Sequence, residues 1–185
     1  DYLRSYGGQP FHLMDHLKRL QSSADQIGLD MPYDLEDVAD ITHRLIEKNQ
    51  DPNVGIRFVL TGGESSSSLI PDDKSSLAIL IQPLSELPAE LYEQGATLIT
   101  SHLQREFQTV KSTSYIGAIM AMREAKKQGA VEALYVDSQG QISECTRSNF
   151  FVVKDRKIVT PAENLLPGIT RQVVMNYAAE IAPLE

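Results

Sequence analysis

Pro83 and Pro88 bracket a short segment, Pro83-Leu-Ser-Glu-Leu-Pro88, that no helix interior or central strand tolerates. Proline has no amide hydrogen to donate and its ring fixes φ, so two of them this close interrupt any regular element. We therefore divide the chain there: a small α/β domain over residues 1–83, a linker over 84–88 and a second domain over 89–185. A chain of 185 residues is long enough for two small domains with a genuine core.

The balance of residues narrows the class. Hydrophobic residues make up 42% and charged residues 23%, ordinary values for a globular protein. The formal net charge of −8 argues against a nucleic-acid binder, which needs a basic face. No apolar run approaches a membrane span, and no signal-peptide pattern opens the chain. Cys145 is the only cysteine, so no internal disulfide forms and a reducing cytoplasm is the simplest home.

In the first half, Tyr2 to Tyr6 reads as a short strand ending in the Gly7-Gly8 turn. Leu13, Leu17, Leu20, Ala24 and Ile27 keep helical spacing, with Gly28 as the stop; Arg19 lies off that stripe, on the solvated side. His12 and His16 stand four apart, as zinc ligands do on a helix, but no glutamate follows the first and no third ligand is apparent. We expect no metal there and read both as helix-surface histidines. Asp34, with Glu36 and Asp37 behind it, starts a second helix carrying Leu35, Val38, Ile41 and Leu45. Gly55 to Thr61 alternates, Ile56, Phe58 and Leu60 against Arg57, Val59 and Thr61, so Arg57 points away from the core. Residues 62–68, glycine and serine throughout except Glu64, lack the phosphate-loop pattern and read as a mobile surface loop. Leu77 to Gln82 is a continuous apolar strand.

In the second half, Ala96 to Leu103 reads as a strand that leads through Arg105 and Gln108 to Lys111. Ile116, Ile119 and Met120 share one face of the helix behind that lysine, widened by Tyr115 and Met122, so burial on most of its girth is expected. Ser112, Thr113 and Ser114 offer hydroxyls to the first-turn amides. A lysine held where a strand gives way to a helix can be desolvated, which lowers its pKa and makes its amine a nucleophile for an aldehyde; the alternative is a solvated lysine beside an ordinary helix cap. Val131 to Val136 and Gln141 to Glu144 form a hairpin through Asp137-Ser-Gln-Gly140, and 149–160 a second through Asp155-Arg156.

Glu144 stands between Ile142 and the Phe150-Phe151 run, where a carboxylate needs a cationic or proton-donating partner: a protonated heterocyclic nitrogen, or an arginine such as Arg147. The turn Pro167-Gly168 delivers Ile169 and Thr170 to a helix start, whose unpaired amides suit an anion. Reactive amine, carboxylate and phosphate-ready helix start together meet the needs of pyridoxal 5'-phosphate.

Arg4-Ser-Tyr6, Pro10-Phe-His-Leu13, His16-Leu-Lys-Arg-Leu20, Lys111, Glu144 with Thr146-Arg-Ser-Asn-Phe150, and Leu166-Pro-Gly-Ile-Thr-Arg171 follow one another over almost the whole chain. In that order they resemble the class IV aminotransferases, the fold type IV pyridoxal-phosphate enzymes that include branched-chain and D-amino-acid aminotransferases and aminodeoxychorismate lyases. The resemblance implies a two-domain mixed α/β (α+β) fold and a homodimer with sites near the subunit contact. It also implies roughly thirty more residues in front and several dozen behind. It assigns Lys111 as the amine that takes the cofactor aldehyde and carries the proton between the substrate α-carbon and the cofactor. Glu144 keeps the pyridine nitrogen protonated. Arg19, the amides of Ile169 and Thr170, and the Thr170 hydroxyl receive the phosphate. Tyr115, one position earlier than the tyrosine of branched-chain enzymes, lies within reach of the phenolic oxygen, and Arg57 matches an arginine near the substrate carboxylate. Gly55 replaces a pocket tyrosine frequent in bacterial branched-chain enzymes, and Gly62 replaces an arginine of the D-amino-acid enzymes.

The expected reaction is amino transfer between an amino acid, branched-chain first, and a 2-oxo acid such as 2-oxoglutarate. Aminodeoxychorismate lyase chemistry with the same lysine is the second expectation. A non-catalytic domain that keeps the fold is a third, and a zinc hydrolase built on His12 and His16 ranks last.

Overall fold

Gly7 and Gly8 take φ of 56° and 85°, the left-handed pair a two-residue hairpin turn demands, and this turn folds β1 (Tyr2–Tyr6) onto β2 (Gln9–Pro10). The computed structural model describes residues 1–72 and 74–181, which divide into two units, Asp1–Glu86 and Leu87–Glu185. In the first unit α1 (Leu13–Gln26) and α2 (Leu35–Glu47) precede β3 (Val54–Thr61) and β4 (Ser76–Pro83). The sheet runs β2-β1-β3-β4, antiparallel throughout, with Leu3 opposite Ile56 and Ile56 opposite Ile81. Leu3, Ile56 and Phe58 meet Leu17, Leu20, Val38 and Ile46 in the core, each large apolar side chain contributing about 1.5–3 kcal/mol.

Arg57 is exposed on the opposite face of β3, as the alternation requires. Arg19 departs from expectation: its side chain is only 9% exposed, held by Asp1 through Nε to Oδ2 at 2.9 Å and Nη2 to Oδ1 at 2.8 Å. His16 is likewise buried rather than on the surface, its Nδ1 2.7 Å from Asp1 Oδ1, while His12 Nδ1 meets Asp15 at 2.8 Å. The two histidines therefore serve separate carboxylates. Residues 62–72 form a hydrogen-bonded loop, Ser66 donating by both its amide and its hydroxyl to Asp72, with Pro71 over Gly62.

The second unit opens with the short helix α3 (Ala89–Glu93), immediately after the proline-bracketed segment. Then β5 (Leu98–Ser101), α4 (Ile116–Lys127) and β6 (Glu132–Val136) form a β-α-β unit, β5 and β6 parallel, with β7 (Ile142–Cys145) antiparallel on the other side of β6. β8 (Val152–Lys154) and β9 (Lys157–Val159) pair through Asp155 and Arg156, both at positive φ, and α5 (Ile169–Ile181) follows. Among the described residues no helix is long and apolar enough to cross a membrane.

The burial of α4 reverses the expectation. Ile116, Ile119 and Met120 are 73%, 50% and 55% exposed, and Ala121 and Ala125 are the buried residues. Small side chains four apart let the helix lie close on β5 and β6, where Ala133 and Tyr135 receive it, so the bulky stripe turns outward within this unit. No side chain caps α4; the Ser112 hydroxyl accepts from the Ser114 amide instead. Lys111 lies not where β5 ends but in the long connection between β5 and α4.

Candidate active site

β7 carries Glu144 and Cys145 inward, and the chain doubles back at once. Glu144 bridges to Asn149 and the Cys145 amide donates to the Ser148 carbonyl at 2.8 Å. The resulting turn hangs from Glu132 of β6, whose carboxylate accepts from the Thr146 hydroxyl at 3.0 Å, the Ser148 hydroxyl at 2.9 Å and the Arg147 amide. Arg147 is thereby drawn to Glu132 and does not pair with Glu144, contrary to the sequence reading.

Glu144 is 5% exposed and its two oxygens are divided between different elements. Oε1 accepts from Arg105 Nη1 at 2.9 Å; Oε2 accepts from the Leu166 amide at 3.1 Å and faces Asn149 Nδ2 at 3.4 Å. A buried carboxylate left unpaired would be destabilising by several kcal/mol, roughly 3–5 for a broken buried pair, so this set of donors is what permits its burial. Asn149 Nδ2 also donates to the Leu166 carbonyl at 3.0 Å, which ties the strand to the turn that begins α5.

These residues wall a cavity of about 280 Å3. Lys111 and Tyr115 line it from the β5–α4 connection, Gly117 and Ala118 from the first turn of α4, Glu144 and Tyr135 from the sheet. Three of the expected residues, Lys111, Tyr115 and Glu144, thus share one space. Ile169 and Thr170 do not line it, but Leu166, just ahead of them, does. The start of α5 is fixed by Arg171, whose Nη2 donates to the Pro161 carbonyl at 2.7 Å and Nε to the Thr160 hydroxyl at 3.3 Å. Arg19 and Arg57 belong to the first unit; the Arg57 guanidinium lies 5.6 Å from the Tyr2 ring centroid.

Burial pushes the Tyr135 phenol above its ordinary value, with Arg105 opposing the shift. Burial, aided by the Glu132 charge, pushes the Cys145 thiol up to about 11, so the cavity holds a neutral thiol beside a carboxylate. Sequence reading gave no role to Arg105, Asn149, Glu132 or Tyr135. The one available signal was that a buried carboxylate demands a cation; nearness along the chain pointed to the wrong arginine.

An amine, a phenol and a paired carboxylate thus face one cleft, with the start of α5 just beyond its Leu166 wall. The amino-transferase class IV family profile matches residues 1–185, and the chain belongs to that family. It is 35% identical to a probable branched-chain-amino-acid aminotransferase of Rickettsia bellii, over 96% of this chain and 63% of that protein. It is 32% identical to a D-alanine aminotransferase of Listeria monocytogenes, over 96% of this chain and 64% of that protein. The chain therefore spans less than two thirds of the length of these curated relatives. Among solved structures, a putative 4-amino-4-deoxychorismate lyase of Legionella pneumophila superposes with a TM-score of 0.88 at 26% identity, covering 100% of this chain and 70% of that one. The branched-chain aminotransferase of Thermoproteus uzoniensis with norvaline gives 0.89 at 28% identity, covering 100% and 66%.

Proposed function

We propose that the protein moves an amino group between an amino acid and a 2-oxo acid with pyridoxal 5'-phosphate as its cofactor. The single observation that carries this is the placement of Lys111, Tyr115 and Glu144 on one cavity, with Glu144 bonded to the turn that starts α5. The cavity residues fit the cofactor, with an amine for its aldehyde and a buried carboxylate for its ring nitrogen; the amides of Ile169 and Thr170, just beyond the Leu166 wall, are the phosphate site this reading requires. When bound, the cofactor supplies an electron sink for charge developing on the substrate α-carbon.

The chain's own residues do the rest. Lys111 would serve as the base that takes the proton from the substrate α-carbon and then as the acid that gives it back. Glu144, its two oxygens already oriented by Arg105 and Leu166, would keep the ring nitrogen protonated. Tyr115, on the same cavity as Lys111, would offer its hydroxyl to the cofactor's phenolic oxygen.

Branched-chain amino acids, with 2-oxoglutarate as acceptor, are the favoured pair, in line with the Rickettsia relative; Gly62, in place of an arginine, disfavours D-amino acids. Aminodeoxychorismate lysis is the second reading, supported by the Legionella structure over the full chain. The active form is a cytoplasmic homodimer. The test is direct. The full-length gene product is purified and its absorbance recorded before and after borohydride. It is then incubated with glutamate and a branched 2-oxo acid, or with aminodeoxychorismate. A yellow protein bleached by reduction and active on the first pair supports the proposal. A colourless protein indifferent to borohydride indicates a non-catalytic domain.

A further inference from the structure

One guanidinium reaches both sides of the cavity. Arg105 Nη1 donates to Glu144 Oε1 at 2.9 Å, and Arg105 Nη2 donates to the carbonyl of Val110, the residue that precedes Lys111. Val110 is 1% exposed, and its amide donates to the Phe107 carbonyl at 3.3 Å, so the turn before Lys111 ends on a buried residue held by the arginine, while Phe107 and Thr109 are exposed. Arg105 itself is 25% exposed.

The two bonds leave from different nitrogens of a rigid planar fork, so the position of the carboxylate fixes the position of the Val110 carbonyl. Neutralising Glu144 would require only a nearby charge, which a lysine provides. Joining a strand carboxylate to a backbone carbonyl in a separate connection requires the fork. Lys111 stands outside every strand and helix, where side-chain bonds of this kind decide the backbone path.

We propose that Arg105 is a positioning residue that sets the spacing between Lys111 and Glu144. The inference rests on the reading of Lys111 and Glu144 as groups acting on one cofactor. It goes beyond that reading by naming what holds them in register.

The test uses the full-length gene product and its Arg105→Lys variant, which retains the charge and loses the fork. Without cofactor, hydrogen exchange of the 107–112 backbone is expected to rise about tenfold, while β1 and β3 stay as in the parent chain. With pyridoxal phosphate added, borohydride trapping at Lys111 slows, and kcat falls roughly a hundredfold with KM for the amino acid within about threefold. Exchange and trapping at parent levels in Arg105→Lys would overturn the inference. If Arg105→Lys opens the whole second unit, Glu144→Ala decides: it removes one arm of the clamp, and 107–112 must again exchange faster. Failure of the parent chain to trap pyridoxal phosphate at Lys111 sinks the reading of the site instead. The exchange arm, which needs no cofactor, still shows whether Arg105 holds the segment.

Discussion

The Oδ1 of Asn149 occupies the space that a Cβ on Gly168 would need, for the two would stand 1.9 Å apart. Asn149 cannot simply rotate away, because its Nδ2 holds the Leu166 carbonyl at 3.0 Å and faces Glu144 Oε2 at 3.4 Å. Gly168→Ala therefore has to break this contact or shift the start of α5. The expected loss of stability is about 1–3 kcal/mol in urea unfolding, with at least a tenfold weaker uptake of pyridoxal phosphate. Adding Asn149→Ala should recover about 1 kcal/mol of the strain, so the double variant is less than additive. Strict additivity would show that the two side chains do not compete.

Across the first unit's sheet, a Cβ on Gly55 would meet the Tyr2 hydroxyl at 2.5 Å and its ring at 3.0 Å. Here the obstacle is the far end of a side chain, so the ring swings aside rather than the strand. Gly55→Ala gains strand order worth about 0.4–1 kcal/mol by limiting the unfolded chain, and loses the packing of Tyr2. The net change is expected to be small in the parent. In a Tyr2→Ala background it should be stabilising by about 0.5–1 kcal/mol. A thermal unfolding cycle over the four proteins measures the coupling.

The Asp1 carboxylate accepts two bonds from Arg19 and one from the Tyr2 amide, and meets His16 Nδ1 as well. The Asp1 side chain is fully buried, so Asp1→Asn leaves a guanidinium in the interior without its counter-charge. A loss of about 3–5 kcal/mol is expected, read as a lower urea midpoint with an unchanged slope. Arg19→Met removes the orphaned charge, and in combination with Asp1→Asn should restore most of the loss. A double variant as unstable as Asp1→Asn alone would mean that packing, not charge, sets the penalty.

Local chemistry made most elements legible. Gly7-Gly8 and Asp137-Ser-Gln-Gly140 announce their hairpins because few residues accept the backbone those turns need, and Leu13 to Ile27 announces α1 by its period. The face of α4 was not legible. Its helix carries two apolar stripes, and periodicity cannot say that the one with Ala121 and Ala125 meets the sheet. Closeness of approach decides that, and it depends on Ala133 and Tyr135 across the interface. Of the residues singled out by type, Lys111, Tyr115 and Glu144 line one cavity, while Ile169 and Thr170 do not. The partner of Glu144 was not legible, since Arg105 is 39 residues away along the chain and arrives only through the long connection. Arg147, close in sequence, is carried off to Glu132 by the turn that follows β7.

Cys145 offers a pH signature of the folded cavity. Burial raises its thiol from the ordinary value of 9.0 to about 11, because the thiolate would sit away from water with Glu132 and Glu144 nearby. Between those two values the unfolded chain has released the proton and the folded chain has kept it. The unfolded state then binds fewer protons, so stability falls as pH rises. The contribution is fully present below pH 9.0, declines through the window, and is exhausted once pH passes about 11. A shift of this size corresponds to roughly 2–3 kcal/mol across the whole window. Urea unfolding at pH 8, 9 and 10 should therefore show the parent losing stability faster than Cys145→Ala, whose own deficit from the missing sulfur is the same at every pH. The native thiol should also resist iodoacetamide at pH 9 and react once urea exposes it, since only the thiolate attacks. Parallel stability profiles for the two proteins would mean that the thiol titrates in the folded state as it does in the unfolded one, and that water reaches this wall of the cavity.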